Sequence, residues 1–417
     1  MMDRRLWPVM LSVGVWHLGY SLYGPFVSLW ILRDLGNPSF FVLAIVISLP
    51  AMASIVGISF LSRLADQKKK LRELLSVTAF AGALQFVCLR LFARSTGTFL
   101  LVALPLGMFT MAYYTLAAAL ATNICDPEVK GQVSSYLLIF ASLGWSIGSF
   151  GSGRAFRLFG MHTVLLMAAF FLIIAGCLVF ASPRGQSEET SPNPPSTDED
   201  VSLTSLLGNH QIRLVLVITA LVEFGTGGLF MLSTIFFVEG AGVLEDDFGV
   251  ANSIATLIAF PILFFIGKGM DSNMGRRFFL RLAVMLHLLY FVAFSLTRDP
   301  VILLLLWVIP MYAFLSPALT AMMADLTDIS ERSRGMGLLQ TVYALMPGLG
   351  MILGGLAADS FGLFVLPLIG LLFLPFALYL TFIVSETQAK EITPEEIPTT
   401  TISDSIAAWL FSLDSKV

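Results

Sequence analysis

The feature that most constrains this chain is a succession of twelve apolar segments, each about as long as a bilayer is thick. A helix needs about 20 apolar residues to cross a hydrocarbon core of roughly 30 Å. Helices are favoured there because lipid offers the backbone no hydrogen-bond partner. Of the 417 residues, 57% are hydrophobic and only 12% are charged, whereas soluble chains carry about 25% charged residues. The sequence therefore predicts an all-α integral membrane protein.

The twelve segments fall into two groups of six. The first group lies at 6–31, 39–62, 73–93, 97–122, 131–153 and 161–181. The second lies at 212–238, 248–270, 277–297, 301–324, 335–357 and 362–385.

A polar stretch separates these groups. It contains four prolines, several serines and a run of acids, a composition that cannot bury a core. The domain organisation that we predict is an N-terminal six-helix bundle at 1–182, a cytoplasmic linker at 183–209, a C-terminal six-helix bundle at 210–386 and a cytoplasmic tail at 387–417.

The cationic residues predict the orientation. With an even number of segments both termini lie on one side, and eighteen of the 24 lysines and arginines fall on that side. Cationic loops are retained in the cytoplasm. We therefore expect a multi-pass protein of the cell (inner or plasma) membrane with both termini cytoplasmic and the lipid bilayer as its surroundings.

The two groups carry the same turn residues at a nearly constant offset. Four pairs recur in order: Asp66 and Asp271 (205 residues apart), Pro105 and Pro310 (205), Gly131 and Gly335 (204), and Phe159-Gly160 and Phe361-Gly362 (202). This series predicts the duplication of a six-helix unit. Many secondary transporters use such a repeat to place a site between their halves.

The second aspartate of the series lies in a glycine-rich basic loop, Gly267-Lys-Gly-Met-Asp271-Ser-Asn-Met-Gly275-Arg276-Arg277. This loop resembles the signature of the major facilitator superfamily, a Gly, an Asp four residues later, then Gly and two basic residues. The first copy keeps Asp66 and cations such as Lys69 but lacks both glycines. The resemblance covers the chain to about Glu386. It implies two pseudo-symmetric bundles of six transmembrane helices.

An acid beside a helix end can bind basic groups and the N-terminus of a neighbouring helix. The two loops are therefore expected to form a conformational latch between the cytoplasmic faces. Its residues are Asp66, Lys69, Asp271, Gly275, Arg276 and Arg277. The alternative is a plain cationic loop on the cytoplasmic side.

Two departures from the family's drug and proton antiporters are visible. Those proteins usually have a Gly-Pro pair in the fifth helix, where Gly148 is here followed by Ser149. They usually start the fourth helix with an arginine linked to proton transfer, and none occurs between Gly97 and Asn123.

Only a few ionisable residues lie inside apolar segments, where each charge costs about 2.5 kcal/mol or more. His17 is in the first segment and Glu223 in the seventh, 206 residues apart and so in equivalent positions. The resemblance implies that both line a central cavity, facing each other or the substrate. A carboxylate there can bind a cation or carry a proton, and the histidine can share that proton. The alternatives are a neutral histidine bonded to a backbone carbonyl and a protonated glutamate bonded to a neighbouring helix.

Further polar and aromatic side chains occur near the middle of the segments. They are Tyr20, Tyr23, Gln85, Tyr113, Tyr114, Thr226, Asn252, His287, Gln340 and Tyr343. As a set they favour a cavity lined by aromatic rings with few fixed charges, suited to an amphipathic or neutral solute. For any single one the alternative is a hydrogen bond between helices.

The leading hypothesis is a secondary transporter that works by alternating access and exports a small amphipathic compound with proton coupling. Uptake of a sugar or organic acid and flipping of a lipid or lysolipid are the alternatives. A non-transporting membrane receptor or assembly subunit is an alternative of a different class. We expect a small-molecule substrate, a monomer and no nucleic-acid partner.

Enzymatic activity is not expected. The sequence shows no nucleophile with a base, no metal-ligand spacing and no phosphate-binding loop, which are the marks of catalytic and cofactor sites. No cofactor or metal is therefore predicted.

Overall fold

The computed structural model describes residues 4–68, 70–110, 112–125, 130–182, 203–270, 275–327 and 332–386. Within these ranges the chain is almost entirely helical and contains no strand. The predicted tail at 387–417 and most of the predicted linker, at 183–202, lie outside the described residues. A short helix, Leu203–Gly208, occupies the end of that linker.

The first half forms six crossings, which we number spans 1 to 6. Span 1 comprises Trp7–Tyr23, a 3-10 turn Gly24–Phe26 and Val27–Asp34. Spans 2 and 3 are Phe40–Lys68 and Leu71–Phe92. Span 4 comprises Thr96–Thr110 and Tyr113–Ile124. Spans 5 and 6 are the two parts of Lys130–Phe180, divided at Gly160.

The second half repeats this order as spans 7 to 12. Span 7 comprises His210–Met231, Ser233–Ile235 and a π-helical turn Phe236–Gly240. Spans 8 and 9 are Glu245–Met270 and Arg276–Leu296. Span 10 comprises Pro300–Trp307 and Tyr312–Leu326. Spans 11 and 12 are Arg332–Phe361 and Leu366–Ile383, the latter preceded by a 3-10 turn Leu363–Val365.

Helix length alone finds nine membrane-crossing segments among the described residues. The difference from twelve has two local causes. Spans 1 and 4 are interrupted, so neither forms one long helix. Spans 5 and 6 follow each other without the predicted loop and are counted as one segment. The twelve-helix prediction is confirmed. The loop predicted between 153 and 161 is absent, and spans 5 and 6 are separated only by a bend at Gly160.

Local signals explain where several spans begin. The side chain of Asn209 accepts a hydrogen bond from the Gln211 amide at 2.9 Å, at the start of span 7. The Asp299 carboxylate accepts from the Val301 amide at 2.9 Å at the start of span 10, directly before Pro300. An N-cap acceptor followed by a proline is a favoured way to begin a helix, because the first amides lack partners within it.

The repeat is visible in the backbone of two glycines. Gly160 has φ 69° and ψ 164°, between spans 5 and 6. Gly362 has φ 80° and ψ 169°, between spans 11 and 12. Only glycine adopts such angles without strain. The same residue type in the same conformation thus makes the same bend in both halves.

Each half is held together by close approach at a glycine. A Cβ added at Gly144 of span 5 would overlap the carbonyl oxygen of Gly14 in span 1. One added at Gly350 of span 11 would overlap that of Phe224 in span 7. Small residues allow this contact in lipid, where packing rather than water exclusion drives helix association.

The two halves meet along spans 5 and 8 and along spans 2 and 11. The hydroxyls of Ser146 and Ser253 are 2.8 Å apart between spans 5 and 8. The Asp359 carboxylate of span 11 accepts from the amides of Phe40 and Phe41, at 2.7 and 2.9 Å, at the start of span 2. These contacts leave a space between the halves.

Gly144→Val is expected to destabilise the first half, because the new methyl groups overlap the backbone of span 1. Overpacking of this kind costs about 1–3 kcal/mol. The measurement is the temperature at which half of the protein is lost from the monodisperse peak in size-exclusion chromatography. Gly151→Val, in the same span, is the control. A Cβ added at Gly151 would have no atom of a neighbouring helix within 4 Å. Equal loss in both variants would contradict the close-approach explanation.

Candidate functional site

A cavity of about 560 Å³ lies between the two halves. Its wall contains aromatic rings from spans 4, 5, 7, 9 and 10. These are Tyr114, Trp145, Phe230, Tyr290, Trp307 and Tyr312. Beside the hydroxyls and indole N–H groups of these rings, the polar side chains in the wall are His17, Ser142, Asn252 and Thr256. This larger cavity has the size typical of a small-molecule site.

A smaller cavity of about 350 Å³ adjoins the larger one. Tyr20, Tyr23 and Gln85 contribute to its lining. Four residues, Trp145, Phe230, Asn252 and Trp307, line both cavities. They therefore form a shared wall between the two spaces.

Interrupted helices build part of these walls. Span 10 is not helical between Trp307 and Tyr312, and Ile309, Pro310 and Met311 of this break line the larger cavity. Gly24 and Pro25 of the 3-10 turn in span 1 line the smaller one. In membrane proteins such breaks are tolerated where the backbone borders a cavity, and transporters use them to build sites.

His17 has a defined hydrogen bond. Its Nδ1 lies 2.8 Å from the carbonyl oxygen of Val13, one turn earlier in span 1. The imidazole ring lies edge-on to Tyr114, with ring centroids 5.8 Å apart, and 4.9 Å from the ring of Trp16. The structure thus places the imidazole in the wall of the larger cavity with one nitrogen bonded to the backbone.

A stack of three rings lies behind His17. Trp16 is sandwiched between Tyr20 and Tyr113, at centroid distances of 5.0 and 5.1 Å and with nearly parallel planes. Tyr20 faces the smaller cavity, whereas Tyr113 is fully buried and lines neither cavity. Stacked rings lose little freedom on ordering and make a stiff wall.

Glu223 lies apart from this wall. It is half-buried in span 7, and the linings of the two cavities do not include it. It precedes Phe230 by seven residues, which corresponds to about 10 Å along one helix face. It interacts electrostatically with Tyr343 of span 11, and that hydroxyl is also near Ser316 of span 10. No hydrogen bond or ion pair joins its carboxyl group to the part of the chain that is described.

The predicted site residues therefore separate into groups. His17, Tyr114 and Asn252 meet at the larger cavity, and Tyr20, Tyr23, Gln85 and again Asn252 at the smaller one. The structure does not place five others in either wall: Tyr113, Thr226, Gln340, Tyr343 and Glu223. Of these, Thr226 is buried inside the second half and Gln340 is exposed on span 11.

Sequence reasoning missed several aromatic cavity residues because their positions in the sequence do not show which of them face a cavity. Trp145, Trp307, Phe230, Tyr290 and Tyr312 are aromatic residues in apolar segments, where such residues are common. A usable signal was present for two of them. Trp145 follows Gly144 in the tightly packed span 5, and Trp307 precedes Pro310 by three residues.

Three of the predicted latch residues make contacts within the second half. Gly275 has φ 73° and precedes span 9. Arg276 forms an ion pair with Asp325 of span 10, and its amide donates to Glu386 at 2.7 Å. Arg277 donates to the carbonyl of Phe382 in span 12.

Of the three remaining latch residues, the structure describes only Asp66. Asp66 lies in the helix of span 2, while Lys69 and Asp271 lie outside the described residues. The latch therefore stays a prediction.

The opposite ends of the spans carry ion pairs between the halves. Arg33 pairs with Glu239 at 2.7 Å and with Glu245 at 2.8 Å, and Arg157 pairs with Asp246 at 2.6 Å. We call the side of the molecule that carries these pairs the Arg33 face, and the side that carries Arg276 and Glu386 the terminal face. The halves are joined at the Arg33 face.

No group of three or more His, Cys, Asp or Glu side chains in the described ranges is arranged to hold a metal ion. A cavity between two pseudo-symmetric six-helix bundles is the arrangement typical of secondary membrane transporters. The chain belongs to the Major Facilitator Superfamily, whose profile matches residues 9–314 and 299–413. This family and fold are those of multi-pass membrane transporters that bind small-molecule substrates, not of enzymes.

Similarity in sequence extends to proteins of known name. Multidrug resistance protein MdtG from Dickeya zeae (strain Ech586) is 24% identical over 258 residues, or 61% of this chain. The match spans 62% of the length of that relative.

Solved structures share the fold at low sequence identity. A bacterial homolog of the human lysosomal transporter Spinster, in an inward-facing and occupied conformation, superposes with a TM-score of 0.75 and 14% identity, covering 92% of this chain and 96% of that one. The nucleoside transporter NupG gives 0.73 and 14%, covering 92% and 98%. The D-xylose-proton symporter gives 0.71 and 12%, covering 92% and 98%.

Arg33→Gln is expected to loosen the closure of the Arg33 face, because it removes two ion pairs between the halves. The pairs are partly exposed, so each contributes at most about 1 kcal/mol. The measurement is the rate at which a membrane-impermeant maleimide labels a single cysteine introduced at Ser28, which lines the smaller cavity. Labelling should rise several-fold. Arg154→Gln, at an exposed arginine in the last turns of span 5, is the control, and a rise as large there would refute a specific role for Arg33.

Proposed function

We propose that this transporter exports a small amphipathic compound by alternating access, driven by protons. The observation that carries the proposal is the chemistry of the cavity walls. Aromatic rings line both cavities, and none of the described residues in either lining is an Asp, Glu, Lys or Arg. Such a surface binds an apolar, planar body by stacking and can hold a cationic group over a ring face.

The same walls argue against the alternatives for uptake. An organic acid would need a fixed cation in the cavity, since a buried carboxylate without a partner is costly. A sugar is bound mainly through its hydroxyls, whereas much of the wall of the larger cavity has no hydrogen-bonding side chain, as at Leu138, Phe230 and Ile309. The similarity to a multidrug resistance protein supports export of amphipathic compounds.

Alternating access requires that closure be reversible. The contacts that join the halves at the Arg33 face include exposed ion pairs and two amides capped by Asp359, beside close backbone packing at Gly153 and Gly355. The exposed ion pairs are weak enough to break during a transport cycle. The contacts described for Arg276 and Glu386 at the terminal face stay within one half. We propose that the terminal face is cytoplasmic, as the cationic residues predict, with the two bundles at 1–182 and 210–386 as the moving units.

Glu223 is our candidate for the proton carrier. Its carboxyl group lies inside span 7, and a charge without a partner is expensive at that depth. Protonation removes the charge, so the position suits a group that is neutral in one step of the cycle and ionised in another. Tyr343 of span 11 interacts electrostatically with Glu223, so the change of charge acts on its hydroxyl.

Glu223→Gln is expected to abolish uphill transport while sparing exchange. The amide keeps the shape of the side chain but does not ionise, so it cannot take up and release a proton during the cycle. In proteoliposomes with an imposed pH gradient, gradient-driven accumulation of a fluorescent amphipathic dye should fall at least tenfold. Dye exchange at equal dye concentrations on both sides should remain within about twofold of wild type. Collapsing the gradient with an ionophore gives the background rate.

Asp299→Asn is the matched control, since Asn also caps the start of span 10. If Glu223→Gln accumulates the dye as fast as wild type under the pH gradient, Glu223 is not the proton carrier.

Trp307→Ala is expected to weaken dye binding about tenfold or more, because it removes a ring from both cavities at once. Loss of one stacked aromatic surface costs on the order of 1 kcal/mol or more beyond its area. The measurement is the dissociation constant from dye fluorescence polarisation in nanodiscs. Trp7→Ala, at an exposed tryptophan outside both cavities, should leave the constant unchanged. Equal affinity in wild type and Trp307→Ala would remove the aromatic wall from the binding site.

A further inference from the structure

We propose that His17 accepts a hydrogen bond from the transported compound, so that preferred substrates carry an N–H or O–H donor on an aromatic body. The inference rests on the proposed function only in taking the larger cavity as the binding site. It adds the chemical feature by which that site selects its ligand.

The argument starts from the tautomer of His17. Its Nδ1 lies 2.8 Å from the carbonyl oxygen of Val13. A carbonyl oxygen only accepts hydrogen bonds, so Nδ1 must carry the hydrogen. A neutral imidazole has a single N–H, and the lone pair is then on Nε2. The backbone of span 1 therefore holds His17 as a hydrogen-bond acceptor.

The surroundings leave this acceptor for a ligand. His17 is in the wall of the larger cavity, and no described residue donates a hydrogen bond to its Nε2. The rings of Trp16 and Tyr114 flank the imidazole and offer apolar surface. An acceptor in such surroundings is costly to leave unpaired. A compound that supplies a donor is thus favoured over one that does not.

Two neighbouring polar groups also offer acceptors. The Thr256 hydroxyl donates its hydrogen to the carbonyl oxygen of Asn252 at 3.0 Å, which leaves its lone pairs for a ligand. The Asn252 side chain donates to the hydroxyl of Ser149 at 3.1 Å, with its amide oxygen left over. Both residues line the larger cavity. They add acceptors to the one on His17, while tyrosine hydroxyls and indole N–H groups supply donors elsewhere in the same wall.

His287 provides an internal comparison. Its Nδ1 lies 2.8 Å from the carbonyl oxygen of Ala283, the same one-turn arrangement as in His17. It is buried in span 9 and lines neither cavity. Two histidines thus share one tautomer, and only His17 presents its acceptor to the cavity.

The test uses pairs of methyl isomers, which have equal size and differ in the N–H group. The probes are 3-methylindole against 1-methylindole, and 3-methylcarbazole against 9-methylcarbazole. Dissociation constants are measured by calorimetry on the full chain in nanodiscs, with empty nanodiscs as the blank. In wild type the N–H isomer of each pair should bind about tenfold tighter or more, the effect of one hydrogen bond to a buried acceptor.

Three variants separate the role of Nε2 from general packing. His17→Asn keeps a donor for the Val13 carbonyl but has no atom at the Nε2 position, so the preference should vanish. His17→Gln places an amide oxygen near that position and should retain most of it. His287→Asn should leave it unchanged. Melting temperatures measured in parallel identify any variant that is not folded, and for such a variant the wild-type comparison of isomers still decides.

Equal affinity of both isomers in wild type would overturn the proposal, as would a preference that survives His17→Asn or the absence of binding by every probe. The outcome is independent of proton coupling. If the N–H preference holds while Glu223→Gln keeps gradient-driven flux, the driving force has been assigned wrongly and the role of His17 stands.

Discussion

The absence of hydrogen-bond partners in the bilayer core is the constraint on which this structure depends. Each backbone amide and carbonyl must be paired inside the protein, so the described chain is almost wholly helical. The interruptions are informative for the same reason. The break between Trp307 and Tyr312 and the turn at Gly24–Phe26 border the two cavities. Irregular backbone is placed where a cavity or a neighbouring chain segment replaces the lipid, and the breaks therefore mark the site.

Two kinds of contact hold the helices together. Within a half, Gly144 and Gly350 bring backbones into direct contact, which gives a rigid bundle. Between the halves, Gly153 of span 5 and Gly355 of span 11 likewise bring their helices against the backbone at Glu245 and Phe40. The Arg33 face adds exposed ion pairs and the capping of Phe40 and Phe41 by Asp359. Each ion pair contributes little, so much of the contact between the halves is helix packing.

The internal repeat explains both the symmetry of the fold and the asymmetry of its site. Gly160 and Gly362 make the same bend in each half. His17 and Glu223 occupy equivalent positions in sequence, yet they have different surroundings. His17 lies among aromatic rings in the larger cavity, whereas Glu223 lies beside Tyr343 and outside both linings. Duplication supplied two similar frames, and separate side chains at matching positions then allow separate roles in ligand binding and in coupling.

The sequence alone determined the number of crossings, the repeat and the family, because hydropathy, glycine bends and loop motifs are local properties of a chain. It also indicated His17, Tyr114 and Asn252 as cavity residues. Only the tertiary structure decided that Tyr113 is buried in a ring stack, that Gln340 is exposed, and that Trp145 and Trp307 form the wall between the cavities. Which side chains line a cavity depends on how each helix is rotated and where it crosses its neighbours. Those angles are set by contacts between residues far apart in sequence, and an apolar segment in lipid carries little pattern to reveal them.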